Sequence, residues 1–452
     1  MTVISKGILQ IFGWTILLVT VACLVGNDST VPATRTPTPI ERSPVLTPVS
    51  TPTPVVTESV WNVYDPDPQH LWNRVVHLLY GRKTTNGVEY GRHSLDPLYW
   101  SETTYLLEGA SHEQAIQLLD EFLVTNGETL ITDPLKRAMF QRDLWAIFDW
   151  LAYKLAFNPR DYFDQGQALQ ERLARIIQRV ALTEEDILSL PDNYLLAVQS
   201  LAFPAQFSEQ TPETTFLPPD LFSSTGEWIL LGREGGPMAE AHLQYPFSGR
   251  STFFVFLHVP GGRQVTLDYF KELQEARNYR EAPLPPSGTE VALVRRMMLI
   301  DRSGSIVLSP IVESIQLRHF TQTRGQIFYE FTLKRDLLFA DFSGGLRSVA
   351  PDEKDFFLFF SHGVDWFEYN PDEIEQGKVI TLQICQGCHL GNGASGAASI
   401  LSFSRFRFDL KDGQKVVLNL TTPEAEARQV IDWKLKQNSW QELQNLWSGV
   451  TR

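Results

Sequence analysis

The residues best placed to do chemistry are Cys385-Gln386-Gly387-Cys388-His389. Two thiols three positions apart can each form a thioether with one of the two vinyl groups of a haem. The residue that follows can present an imidazole nitrogen to the iron as proximal ligand. The chain has three cysteines, and two of them are in this pentapeptide. The pattern predicts one haem c per chain, held by Cys385 and Cys388, with His389 on the iron.

Two other chemistries suit such a pair, and a chance occurrence is the third alternative. A thioredoxin-like disulfide calls for a βαβ setting, and none reads around residue 385. A zinc site needs four ligands, and no second C-x-x-C or H-x-x-x-H completes one. A disulfide or metal clip stays open beside the haem reading. The pentapeptide resembles the attachment site of c-type cytochromes. That resemblance implies electron transfer to a redox partner protein outside the cytoplasm, and a small helical segment around the haem. It covers the C-terminal segment at most. In that family a Met downstream of the motif usually supplies the second axial ligand. Here Met1, Met139, Met238, Met297 and Met298 all precede Cys385. His362, in Phe360-Ser361-His362-Gly363, is the nearest other His in sequence. It is the candidate sixth ligand, with a backbone-bonded turn histidine as the plainer reading. His258 and His319 read as packed or cross-strand residues, and Met297 and Met298 as core.

Haem attachment of this kind requires export, and the N-terminus agrees. Lys6 precedes an apolar run from Ile8 to Val19, which ends in Thr20-Val21-Ala22-Cys23. A basic start, an apolar centre and a small-residue end make a secretory signal. Cys23 after a small residue resembles a bacterial lipobox, which implies lipidation at Cys23. An uncleaved helix is the alternative, since residues 8–25 are about long enough to span a bilayer. Either form would tie the protein to a membrane through its N-terminus, in the periplasm or at the cell surface. Next comes a Thr/Pro stretch with Thr-Pro-Thr-Pro at Thr36 and again at Thr51. Such a sequence cannot bury a core and reads as an extended spacer.

These elements divide the chain into an anchor (1–25), a stalk (26–59), a helical block (60–205), a β-rich block (206–365) and a haem-attachment segment (366–452). The expected class is α+β. In the helical block, Ser111-His112-Glu113-Gln114 reads as a capping box. Asp133-Pro134 and Thr183-Glu184-Glu185-Asp186 read as further helix starts. Trp72, Trp100, Trp145, Phe148 and Trp150 read as core. In the β block, Val291 to Ile300 and Ser305 to Leu308 flank the turn Asp301-Arg302-Ser303-Gly304, a hairpin pattern. Ile311 to Phe320 and Ile327 to Leu333 read as further strands, Phe356 to Phe360 as a buried strand or a core segment, and Leu267 to Ala276 as a helix. In the last segment a helix is expected from Glu373 to Ile384, and another capped by Thr422-Pro423-Glu424.

A net charge of −14 and the lack of a long basic run argue against nucleic acid as a partner. Gly232-Arg233-Glu234-Gly235-Gly236 lacks the strand–loop–helix setting of a phosphate loop. There is no H-E-x-x-H and no G-x-S-x-G. Three function classes follow. The first is an anchored c-type haem protein. The second is an exported binding or structural protein with the Cys pair as a clip. The third is a haem-dependent oxidoreductase, for which the sequence names no acid–base group.

Overall fold

The computed structural model describes residues 61–157, 161–244, 246–276, 283–321, 325–358, 363–389 and 417–449. The apolar run with Cys23, the stalk and His362 lie outside the described residues, as does the glycine-rich stretch after His389. The described residues belong to one compact unit.

The chain begins with α1 (Leu71–Tyr80) and a short hairpin of β1 (Arg82–Lys83) and β2 (Glu89–Tyr90). Helices α2 (Gly109–Val124), α3 (Pro134–Phe157), α4 (Phe163–Val180), α5 (Glu184–Leu188) and α6 (Asn193–Gln199) follow. The start of α3 is as expected: Asp133 accepts the Lys136 N–H at 2.9 Å, ahead of Pro134. Thr183 and Asp186 form the capping box of α5. Ser111 does not cap α2, which starts two residues earlier at Gly109. Leu106 and Gly109, both at positive φ, turn the chain there. The Ser111 hydroxyl accepts the Leu106 N–H and donates to the Glu108 carbonyl, tying that turn from inside the helix.

From Ala138 to Leu151, α3 is buried on every side. A helix surrounded in this way is apolar nearly all round, and its few polar residues must find partners. The expected core aromatics Trp72, Trp100, Trp145, Phe148 and Trp150 are all buried.

The second half is built on strands β3 (Ile229–Arg233), β4 (Ser251–His258), β5 (Glu290–Ile300), β6 (Ile306–Thr321), β7 (Gly325–Leu333) and β8 (Leu346–Ser348). Helix α7 (Arg263–Glu275) follows β4, and α8 (Arg335–Phe339) follows β7. The β5–β6 turn is the expected one, with the Asp301 carboxylate accepting the Ser303 and Ser305 N–H groups at 2.9 and 2.8 Å. β9 (Lys354–Phe356), α9 (Trp366–Tyr369), β10 (Lys378–Ile380) and α10 (Thr381–His389) come next. β11 (Leu418–Leu420), α11 (Pro423–Lys434) and α12 (Asn438–Ser448) end the described chain.

Seven strands form one antiparallel sheet in the order β11-β3-β4-β5-β6-β7-β8, a meander with β11 added at the β3 edge. The protein is therefore α+β. Its main hydrophobic core runs from the helical block into the sheet.

Two expectations in the last segment change. Residues 373–384 are not one helix: a 3-10 turn leads into β10, which pairs with β9, and α10 starts only at Thr381. The C-terminal apolar positions belong to two helices rather than one, parted between Leu435 and Gln437. Thr422 caps the first of them as expected, accepting the Ala425 N–H at 3.2 Å.

Candidate functional site

Side chains alternate across a strand, so each strand of the sheet offers one set of residues to each face. Phe254, Val294, Ile315 and Phe331 stand in register across β4, β5, β6 and β7, and all are fully buried. Their neighbours Phe253, Arg295, Ser314 and Thr332 are in register on the other face. The next pair on that face is Gln316 and Glu330. This second face lines a cavity of about 260 Å³, whose other lining includes Phe356, Phe357 and Leu358 and Thr381, Ile384 and His389 of α10.

The cavity floor is a buried ion network. Asp96 accepts from Arg142 at 2.8 Å, Arg250 at 3.0 Å and Arg295 at 2.9 Å. Burial alone would raise its pKa. The guanidinium groups of Arg142, Arg295 and Arg250 outweigh burial and hold it well below the usual carboxylate range. Glu313 is the second anion. It accepts from Arg142 Nε at 2.7 Å, pairs with Arg295 Nε at 2.8 Å and takes the Ser251 hydroxyl. Glu313 falls where the β5–β6 register shifts, between the pairs Arg295–Ser314 and Arg296–Val312. A bulge re-aims side chains, and Pro310, which has no N–H to give a ladder, stands just before it. Asp149 continues the network to Arg250 at 2.9 Å and to Lys434 of α11 at 2.8 Å. Asp143 bonds Tyr64 at 2.6 Å and pairs with Arg335. Asp143 and Asp149 are thus core carboxylates held by buried cations.

At the sides of the cavity the groups are less tightly matched. Glu330 faces the cavity yet is crowded by protein, and burial pushes its pKa up to about 7 against the bond from Gln316. Asp355, on the exposed strand β9, is raised as well, by partial desolvation against the Phe356 N–H bond that lowers it. Lys334 is lowered, by burial first and then by the charge of Arg347. His242, whose ring lies 5.3 Å from that of Phe253, is held down to about 4 by burial and by Arg318.

The motif residues meet this cavity from above. Residues 385–389 lie on α10, which packs on β7. The side chains of Cys385 and Cys388 lie outside what is described, but positions three apart on a helix share a face. His389 is half-buried, with its ring 6.3 Å from that of Phe328. Its Nδ1 is 3.0 Å from Arg318 Nη1. Arginine only donates, so Nδ1 accepts and the ring proton sits on Nε2.

A covalently attached haem fits this helix in its donor set: two thiol positions on one face and an imidazole one residue on. It does not fit inside the cavity, which is smaller than the roughly 300–1,000 Å³ of ordinary ligand sites. Metal-bound histidines almost always donate from the second ring nitrogen, whereas His389 accepts a hydrogen bond at Nδ1. Iron on His389 therefore requires Arg318 to leave Nδ1.

His258 and His319 are cross-strand residues as expected, bonding the two oxygens of Glu290 at 3.1 and 3.0 Å. Met297 and Met298 are fully buried. Among the described residues no group of three or more His, Cys, Asp or Glu is placed to hold a metal ion. Sequence reading missed Glu330, Lys334 and His242. The alternation Glu330, Thr332, Lys334 was a usable signal for the first two, because polar residues at every second position of a strand mark a wet face. His242 had none.

The molecule is thus an α+β protein with one seven-stranded antiparallel sheet and a polar, partly matched cavity under the helix that carries C-x-x-C-H. No protein-family model, no curated protein and no solved structure matches the chain.

Proposed function

We propose that this chain is a membrane-anchored c-type haem protein that works outside the cytoplasm and passes electrons to a redox partner protein. The observation that carries the reading is the C-x-x-C-H pentapeptide on a single helix, with its His beside a cavity. Cys385 and Cys388 would hold one haem c per chain and His389 its iron. The group supplies reversible one-electron chemistry. With no Met after the motif, His362 is the candidate for the other iron face. The apolar run, lipidation at Cys23 and the Thr/Pro spacer would tether the body at the periplasmic or outer cell surface. Among the described residues no helix is long and apolar enough to cross a membrane.

The test is a haem-stained denaturing gel of the full chain, exported from a host that attaches haem c. A stained band in the wild type and none in Cys385→Ala/Cys388→Ala is the expected result. A wild type without stain rejects the reading, and the Cys pair then serves as a disulfide or metal clip in an exported binding or structural protein. Replacing residues 1–57 by a cleavable signal should release a soluble folded body. Retention on membranes would refute a purely N-terminal anchor.

A second reading is a haem-dependent oxidoreductase, which would need an acid–base group; Glu330, which lines the same cavity as His389, is the carboxyl to test for that role. Arg318→Met, which frees Nδ1 of His389, should raise haem content under either version. Under the clip reading it changes no haem signal.

A further inference from the structure

The ion network under the cavity does not balance. Its cations are Arg142, Arg250, Arg295 and Lys434, and its carboxylates are Asp96, Asp149 and Glu313, with every contact among them at 3.0 Å or less. Four positive charges therefore meet three negative ones. Lys434, lowered to about 8 by burial, still holds its proton at pH 7. Asp143 and Arg335 pair with each other and leave the count unchanged. A buried charge without a counter-charge is costly, so one more anion would complete the network. Of the four cations, Arg295 is the one that lines the cavity. Its Nε serves Ser251 and Glu313, and its Nη2 serves Asp96. Nη1 makes no hydrogen bond among the described residues and keeps accessible surface. The ring centre of Phe247 lies 4.2 Å from the guanidinium carbon and that of Phe253 6.0 Å. Glu330 is not the missing anion. It stands two strands over and two residues along, about 12 Å away between backbones. Asp355 and Lys334 line other parts of the wall.

We propose that this cavity binds a small monocarboxylate with an apolar, ring-sized body, whose carboxylate accepts from Nη1 of Arg295 and supplies the missing charge. A guanidinium is a fixed fork of donors matched to carboxylate oxygens. Here two protein carboxylates and the face of Phe247 already hold it, so little freedom is lost when a ligand arrives. A hydrogen bond between two charged groups is also about twice as strong as a neutral one. Phe247, Phe253, Phe356 and Phe357 line the same space and receive the apolar body. The volume of about 260 Å³ keeps that body small. Glu330 and Asp355 work against an anion and Lys334 works for it, so the ligand's charge belongs at Arg295 and its apolar part toward the aromatic rings. The proposal goes beyond the haem reading and does not depend on it.

The probe is benzoate, titrated by calorimetry into the full chain at pH 7. Benzoate should bind on the order of tenfold more tightly than benzamide, which keeps the ring and loses the charge. Acetate, which keeps the charge and loses the ring, should be weaker than benzoate by a factor on the order of ten. Benzylammonium, with the opposite charge, should not bind. Arg295→Gln should weaken benzoate on the order of tenfold to a hundredfold. Ser314 stands in register beside Arg295 on the cavity face. Ser314→Leu fills that space and should abolish binding without lowering the thermal midpoint. If Arg295→Gln does not fold, Ser314→Leu decides. No binding of benzoate to the wild type overturns the proposal, as does benzamide or benzylammonium bound as tightly as benzoate. Acetate bound as tightly would mean a bare anion site and overturns it too. So does benzoate binding that survives Ser314→Leu.

Discussion

The two faces of the central sheet are made of alternating residues of the same strands, yet they are different materials. On one face Phe254, Val294, Ile315 and Phe331 are sealed. Phe203 packs edge-on to Phe331 at 4.7 Å, and Phe222 to Phe254 at 6.0 Å. On the other face stand Arg295, Ser314, Gln316, Glu330 and Thr332, over a cavity. The first face obeys packing: any lost atom leaves a hole. The second obeys charge matching: its floor is paired, and its sides are not. Apolar packing therefore holds one face, and titratable groups are concentrated on the other. Unmatched polar groups in a cleft are where shifted pKa values gather.

The largest test of this contrast is Phe331→Ala. Removing a fully buried ring should cost about 4 kcal/mol, read as a lower denaturant midpoint. If Phe331→Ala costs no more than Thr332→Ala, the two faces are not energetically distinct. Next is Glu313→Ala, which strands the charges of Arg142 and Arg295. Breaking a buried pair in this way should cost about 3 kcal/mol. The double variant Glu313→Leu/Arg142→Met should recover part of that, because removing both partners leaves no lone buried charge.

The third test is the pH dependence at Glu330. Its carboxyl rises from an ordinary 4.5 to about 7 on folding. Between those values the folded chain binds more protons than the unfolded one, so stability falls as pH rises through the window. Glu426, buried and bonded to the Met238 N–H, is raised to about 7 and acts in the same sense. Glu330→Gln should shrink the loss of stability between pH 5 and pH 8, measured as the difference from wild type. An unchanged loss would mean that Glu330 is well solvated. The smallest effect belongs to Thr332→Ala, half-buried at the cavity wall, which should stay within about 0.5 kcal/mol.

Local pattern carried a good deal of this. The caps at Asp133, Thr183 and Thr422, the Asp301 turn and the β5 to β7 strands follow from short-range chemistry that nearby residues settle among themselves. Ser111 shows the limit: a good capping sequence lost to the positive-φ turn at Leu106 and Gly109. The helix expected over 373–384 failed because β10 found a partner in β9, a pairing that is invisible along the chain.

By itself the sequence determined which residues could hold a haem, which strands alternate, and that an apolar run and a Thr/Pro stretch precede the body. Those are properties of neighbours, decided by residue type and spacing. Only the tertiary structure decided that Arg318 faces His389, that Glu313 serves Arg142, and that Lys334 shares a cavity with Glu330 and Asp355. Arg318 and His389 are 71 positions apart, and Arg142 and Glu313 are 171. Contacts over such distances are set by sheet register and helix packing, and these depend on the whole core.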